Sequence, residues 1–169
     1  MPFTAHASRL LVRELQAFQR EVALFPDDES LWRVLPGVTN PAGNLALHVA
    51  GNLRHFVGAM LGGSGYVRDR AAEFSPRAGS RQQVDRELET TIDDVVSTLD
   101  RFDPARLDQP FPGAPNGMVV QTDLFLLHLV AHTAFHLGQA GYIRRLVTGD
   151  PTSADPVPTR LLVDKTEQA

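Results

Sequence analysis

Hydrophobic positions recur along this chain at helical steps in four separate stretches. In the first, from about Ala5 to Phe25, Leu11, Leu15, Phe18, Val22 and Phe25 fall three and four residues apart, along one stripe of a helix. Pro26, followed by Asp27 and Asp28, stops it. Residues 27–39 form a connection whose Leu31, Trp32, Val34 and Leu35 are expected to pack against the bundle end. A second helix is predicted from an Asn40 N-cap, with Pro41 at the first helical position, where its missing N–H does no harm. It runs to about Leu61, and Gly62-Gly63-Ser64-Gly65 ends it with a flexible link.

Ser80 with Gln83 three residues on is a capping-box pattern and opens the third helix. Val84, Leu88, Ile92, Val95, Leu99 and Phe102 mark its inner face before Pro104. Residues 103–120 hold Pro104, Pro110, Pro112, Gly113, Pro115 and Gly117 and read as a loop. The fourth helix runs from a Thr122 N-cap to about Val147, closed by Gly149 and Pro151. No stretch has the alternating period of a strand. The expected fold is therefore all-α, a four-helix bundle with long connections between helices 2 and 3 and between helices 3 and 4. Residues 1–150 are expected to make one domain. Residues 151–169 form an extended C-terminal tail, either loose or strapped to a neighbour, bulky only at Leu161-Leu162-Val163.

Composition narrows the chemistry. The net charge of −4 disfavours non-specific binding to nucleic acid, whose phosphates attract basic faces. The most apolar stretch, Leu124 to Leu137, is interrupted by three histidines and too short to span a bilayer, so no membrane partner is expected. The first residues lack the apolar centre of a secretory signal. With cysteine also absent, a cytoplasmic protein is expected. Absence of cysteine further excludes a thiolate nucleophile and any sulfur-ligated metal, so a metal would rest on histidine nitrogen and on carboxylate or water oxygen.

Histidines are where the sequence becomes specific. Helix 2 carries His48 and His55, and helix 4 carries His128, His132 and His136. A four-residue step advances about 40° around a helix, so His132 and His136 stand one turn apart on one side and can share a metal. Spacing of this kind also occurs in ordinary core or surface positions, and His6 is read that way. A third ligand must come from another helix, and His48 is placed to supply it. Three protein ligands leave a position open for water or substrate, the pattern of catalytic metals. Asn44 and Asn52 flank His48 by one turn on each side, and Gln139 follows His136 by three residues. With His55 and His128 they are expected to surround the ligands, orienting rings or binding whatever fills the open position. From His128 to His136 the direction drifts by about 80°, which makes His128 a neighbour of the site.

His132-Thr133-Ala134-Phe135-His136-Leu137-Gly138-Gln139, leading into Tyr142-Ile143-Arg144, resembles the HxxxHxGQ pattern of the DinB-like family, which includes the YfiT-type proteins. The segment Asn44-Leu45-Ala46-Leu47-His48-Val49-Ala50 resembles that family's first-ligand motif. The resemblance covers about residues 5–148 by helix order and implies metal ligands His48, His132 and His136. It also implies a homodimer acting on a small molecule as a metal-dependent transferase or hydrolase. Some related bundles use low-molecular-weight thiols such as bacillithiol or mycothiol. His128 and the proline-containing tail depart from many members.

Two functions follow. In one, a divalent metal (zinc or nickel first, iron or manganese next) activates a thiol or water for transfer or hydrolysis. In the other, the chain is a stress-response module that binds a metal or small ligand without turnover. No HExxH occurs, since Leu129 and Thr133 follow His128 and His132, and so no zincin general base is present. Asp123 and Glu14 are the carboxylates on hand, and a solvated face is the expected place for both.

Overall fold

The computed structural model describes residues 2–162, Asn116 by its backbone alone. Helix α1 spans Phe3–Ala23 and is followed by a single turn, α2, at Asp28–Leu31. Helix α3, Ala42–Leu53, continues without a break into a π-helical stretch, Arg54–Leu61. A second short helix, α4, covers Arg70–Phe74. The remaining long helices are α5, Arg81–Leu99, and α6, Thr122–Thr148.

The hydrophobic stripe of α1 is the core stripe: Leu11, Leu15, Phe18, Val22 and Phe25 are all buried, as are Val84, Leu88, Val95, Leu99 and Phe102 from α5 and its end. The capping box at Ser80 and Gln83 forms as the sequence predicts, and Gly149 closes α6 with a left-handed φ of 71°. Two starts move by one residue. Pro41, not Asn40, caps α3, because its carbonyl receives the N–H groups of Asn44 and Leu45. Gln121 caps α6, while the Thr122 hydroxyl turns away to donate to the Gln109 carbonyl at 3.0 Å. In the 27–39 connection Leu31 and Trp32 are buried, but Val34 is 46 % exposed and does not pack as expected.

The four long helices form a square in which neighbours are set by their contacts. α1 runs antiparallel to α5, joined near its C-terminus by Gln19 to Asp85 at 2.9 Å, and parallel to α6, joined by Glu21 to Arg144 at 2.5 Å. α3 lies antiparallel to α6, with Phe56 against Phe125, and parallel to α5, with Arg54 bonded to Glu87 and Asp94. The pairs α1/α3 and α5/α6 sit on the diagonals. Since α3 and α5 point the same way, the chain between them must return along the bundle, and residues 62–80 do so with α4 packed on α3. Gly63 and Gly65, at φ 67° and 77°, make the turn that starts the return.

Two one-turn 3₁₀ helices, Pro104–Arg106 and Pro115–Gly117, punctuate the loop before α6, and its Phe111 is buried between Phe56 and Phe125. The described part of the tail is strapped down. Arg144, fully buried in α6, donates to the carbonyls of Asp150, at 3.1 Å, and Thr152, while Arg20 of α1 reaches those of Ala154 and Asp155 at 2.9 and 3.1 Å. Val163 and the residues after it lie outside the described residues. No helix among the described residues is long and apolar enough to cross a membrane.

Candidate metal centre

The antiparallel pairing of α3 with α6 brings His48 against His132 and His136. The Nε2 atom of His132 lies 3.3 Å from that of His48 and 3.1 Å from that of His136. One ring nitrogen of each histidine falls within 4.8 Å of the other two, a group that could hold a metal ion. Bonds of about 2.0–2.1 Å to a tetrahedral metal would space ligand nitrogens roughly 3.3 Å apart, close to both short separations.

The outer nitrogens say which atom each ring offers. His48 Nδ1 is 2.8 Å from Glu73 Oε2, closer than the 3.3 Å contact from the Arg68 guanidinium, so Nδ1 carries the proton and donates to the carboxylate. His136 Nδ1 donates to Gln139 Oε1 at 2.8 Å. Both rings therefore turn a bare Nε2 lone pair toward the centre. Two imidazoles with lone pairs turned inward, and a third, His132, whose Nε2 lies between them, are a donor set that a divalent cation fits.

Glu73 was not visible in the sequence, because residues 62–80 read as a link. Its signal is Asp69 ahead of Ala71-Ala72-Glu73-Phe74, an N-cap followed by helix formers, and Asp69 does accept from Ala72 N–H at 3.0 Å. Burial pulls the Glu73 carboxyl upward, but hydrogen bonds from Arg68 and His48 outweigh it and hold its pKa below the usual carboxylate value. Asn44, fully buried, donates to the Glu73 and Pro76 carbonyls at 3.0 and 3.2 Å and so fixes α4 rather than a histidine ring. Gly51 allows the approach: a Cβ there would lie 2.9 Å from Glu73 Cδ and closer still to Oε1. Glu73→Gln should lower zinc affinity about 10- to 100-fold with helix content intact, as read by competition with a chromogenic chelator. Unchanged affinity would show that the carboxylate does not act on His48.

The other expected neighbours divide. Gln139 orients His136 as described. Asn52 is buried one turn below His48, and its Oδ1 has no protein partner among the described residues. His55 lies in the π-helical stretch against Phe56, at a ring distance of 4.7 Å, outside the three-histidine group. His128 is exposed and stacks between Phe125 and His132, also outside it. His6 is on the surface. Glu14 corrects the expectation of a solvated face: it is fully buried within the bundle, paired with Arg13 at 2.5 Å, because its position on α1 faces inward. Asp123 is half-buried and accepts from Leu124 N–H at the start of α6. Neither carboxylate lines the histidine cleft.

Burial, with the neighbouring His136, His48 and His128, lowers the His132 pKa from 6.5 to about 3. Burial also lowers His136, against an upward pull from Gln139. Both rings are thus neutral at pH 7 and available as ligands. A histidine depressed in the folded state binds fewer protons there than in the unfolded chain at any pH between the two values. The metal-free protein should therefore lose stability as pH falls from about 6.5 toward 3. A melting temperature that drops less steeply from pH 7 to 5 in His132→Gln than in the natural sequence would bear this out; parallel slopes would refute it.

The histidines open onto a cleft of ≈ 700 Å³ between α6, α4 and residues 37–40. Leu45, Phe74, Ile143 and Leu146 give it apolar walls, and Arg70, Gln139 and Tyr142 give it polar ones. A site of three ligands beside an open, mixed cleft has room for a small substrate.

The fold is similar to that of a crystallised conserved protein from Enterococcus faecalis, with a TM-score of 0.70 at 19 % identity, over 89 % of this chain and 99 % of that one. No curated protein matches the chain. The model of the DinB superfamily matches residues 10–140, which includes all three histidines, and the chain belongs to that superfamily.

Proposed function

We propose that this protein is a metal-dependent enzyme in which His48, His132 and His136 bind one divalent cation, zinc or nickel first and iron or manganese next. The observation that carries this is the convergence of three Nε2 atoms, with the His48 ring turned by Glu73 and the His136 ring by Gln139. When bound, the metal supplies Lewis acidity, lowering the pKa of a thiol or water so that its anion exists near neutral pH. The chain's own groups hold the ligand rings, keep α4 in place through Asn44, and wall the cleft.

Transfer of a low-molecular-weight thiol to an electrophile is better supported than hydrolysis. Among the described residues the cleft lining contains no aspartate or glutamate to serve as a general base for water. A thiol that coordinates the metal is deprotonated outright, its proton passing to solvent, and needs no such base. Bacillithiol and mycothiol are the thiols to try. The apolar residues exposed on α6 outside the cleft lining, Leu124, Leu127 and Phe135, support pairing of two copies, which sedimentation equilibrium would report.

The test is turnover by protein loaded separately with zinc, nickel, manganese or iron, supplied with each thiol and an aryl chloride or epoxide. Metal-dependent thioether formation, lost in His48→Ala, is the expected result. Stoichiometric metal with no turnover across the panel would favour the alternative, a binding module without catalysis.

A further inference from the structure

We propose that the cleft takes a small organic anion whose carboxylate or phosphate group is held by Arg70. The starting point is a charge imbalance. The chain as a whole carries −4, yet among the described residues no acidic side chain lines this cleft while Arg70 does. Imidazole ligands bring no negative charge to offset a bound cation, and the carboxylate behind them, Glu73, is already matched by Arg68 at 2.5 and 2.8 Å. A concave site of this sign concentrates anions.

Arg70 differs from the arginines around it. Arg68 is bound to Glu73, Arg54 to Glu87 and Asp94, Arg77 to Asn44, and Arg144 to Glu21. Among the described residues Arg70 makes no ion pair. Its guanidinium rests 5.2 Å over the Phe74 ring, whose other neighbour is His48 at a ring distance of 4.8 Å. Phe74 thus seats the cation beside the histidines and leaves its N–H fork for a ligand. Carboxylate and phosphate both match that fork in two-point hydrogen bonding. An anion held there would lay its apolar part along Leu45, Ile143 and Leu146 and bring a second donor toward the metal. This last contact rests on the metal-dependent reading; the Arg70 contact does not.

The experiment is isothermal titration of benzoate, phenylphosphonate and neutral benzamide into metal-free and zinc-loaded protein, with zinc content measured separately. Arg70 is exposed at the first position of α4, so Arg70→Gln removes no buried contact; Arg86→Gln, on α5 across the bundle from α6, is the control. At least one anion should bind, benzamide should not, and Arg70→Gln should weaken the anion about tenfold or more while Arg86→Gln and zinc content stay unchanged. The tighter of the two anions identifies the headgroup. Equal binding by Arg70→Gln, equal binding of benzamide, or no anion binding at millimolar concentration would each overturn the proposal. Arg70-dependent binding, together with no zinc retained after loading, would uphold it while rejecting the metal centre.

Discussion

His132→Ala should give a folded protein that no longer retains metal through dialysis. His132 is the shared vertex of the group, with its Nε2 3.3 Å from one partner and 3.1 Å from the other. Without it two imidazoles remain, one on each of two helices, and no face of three donors exists. Loss of an orienting neighbour typically costs about 10- to 100-fold in metal affinity. Loss of a ligand should exceed that range, so elemental analysis after loading should find the metal absent. The fold should survive, because the ring is only half-buried and its Nδ1 has no protein partner to lose. Wild-type metal content in His132→Ala would remove the centre from consideration.

Arg144→Met should be strongly destabilising. The guanidinium is fully buried, donates to Glu21 at 2.5 Å, and holds the carbonyls of Asp150 and Thr152. Methionine keeps much of the volume but leaves the Glu21 carboxylate, which is only 2 % exposed, with no cation nearer than Arg145 at 3.9 Å. Breaking a buried pair from one side costs about 3–5 kcal/mol, which for a chain of this size lowers the melting temperature by about 10 °C. Pairing the change with Glu21→Gln should recover a large part of that loss, since no buried charge is then left unmatched. Limited proteolysis should also cut more readily between residues 150 and 162. A melting temperature within a degree or two of the natural protein would refute this account of Arg144.

The helices were legible because α1 and α5 carry clear apolar stripes and the long helices have start or stop signals: Pro26 after Phe25, the Ser80 box, Gly149 after Thr148. The three histidines were legible for the same reason, a four-residue step on one helix and a matching residue on another. Glu73 and Arg68 were not. They lie in a glycine-started return whose path depends on α3 and α5 being parallel, a property of packing that no local pattern encodes. Arg144 follows the HxxxHxGQ match in sequence, and its partners show that it anchors Asp150 and Thr152. Glu14 was misplaced because charge alone suggests a surface, whereas its position on α1 points into the bundle.

His48 and His132 stand 84 residues apart in sequence. A metal held between them would act as a cross-link, closing that span and removing conformations from the unfolded chain more effectively than a short loop could. Metal supply would then set the protein's lifetime as well as its chemistry. Because an ion that binds only the folded chain stabilises it in proportion to the logarithm of its free concentration, copies made under metal starvation would unfold and be degraded sooner.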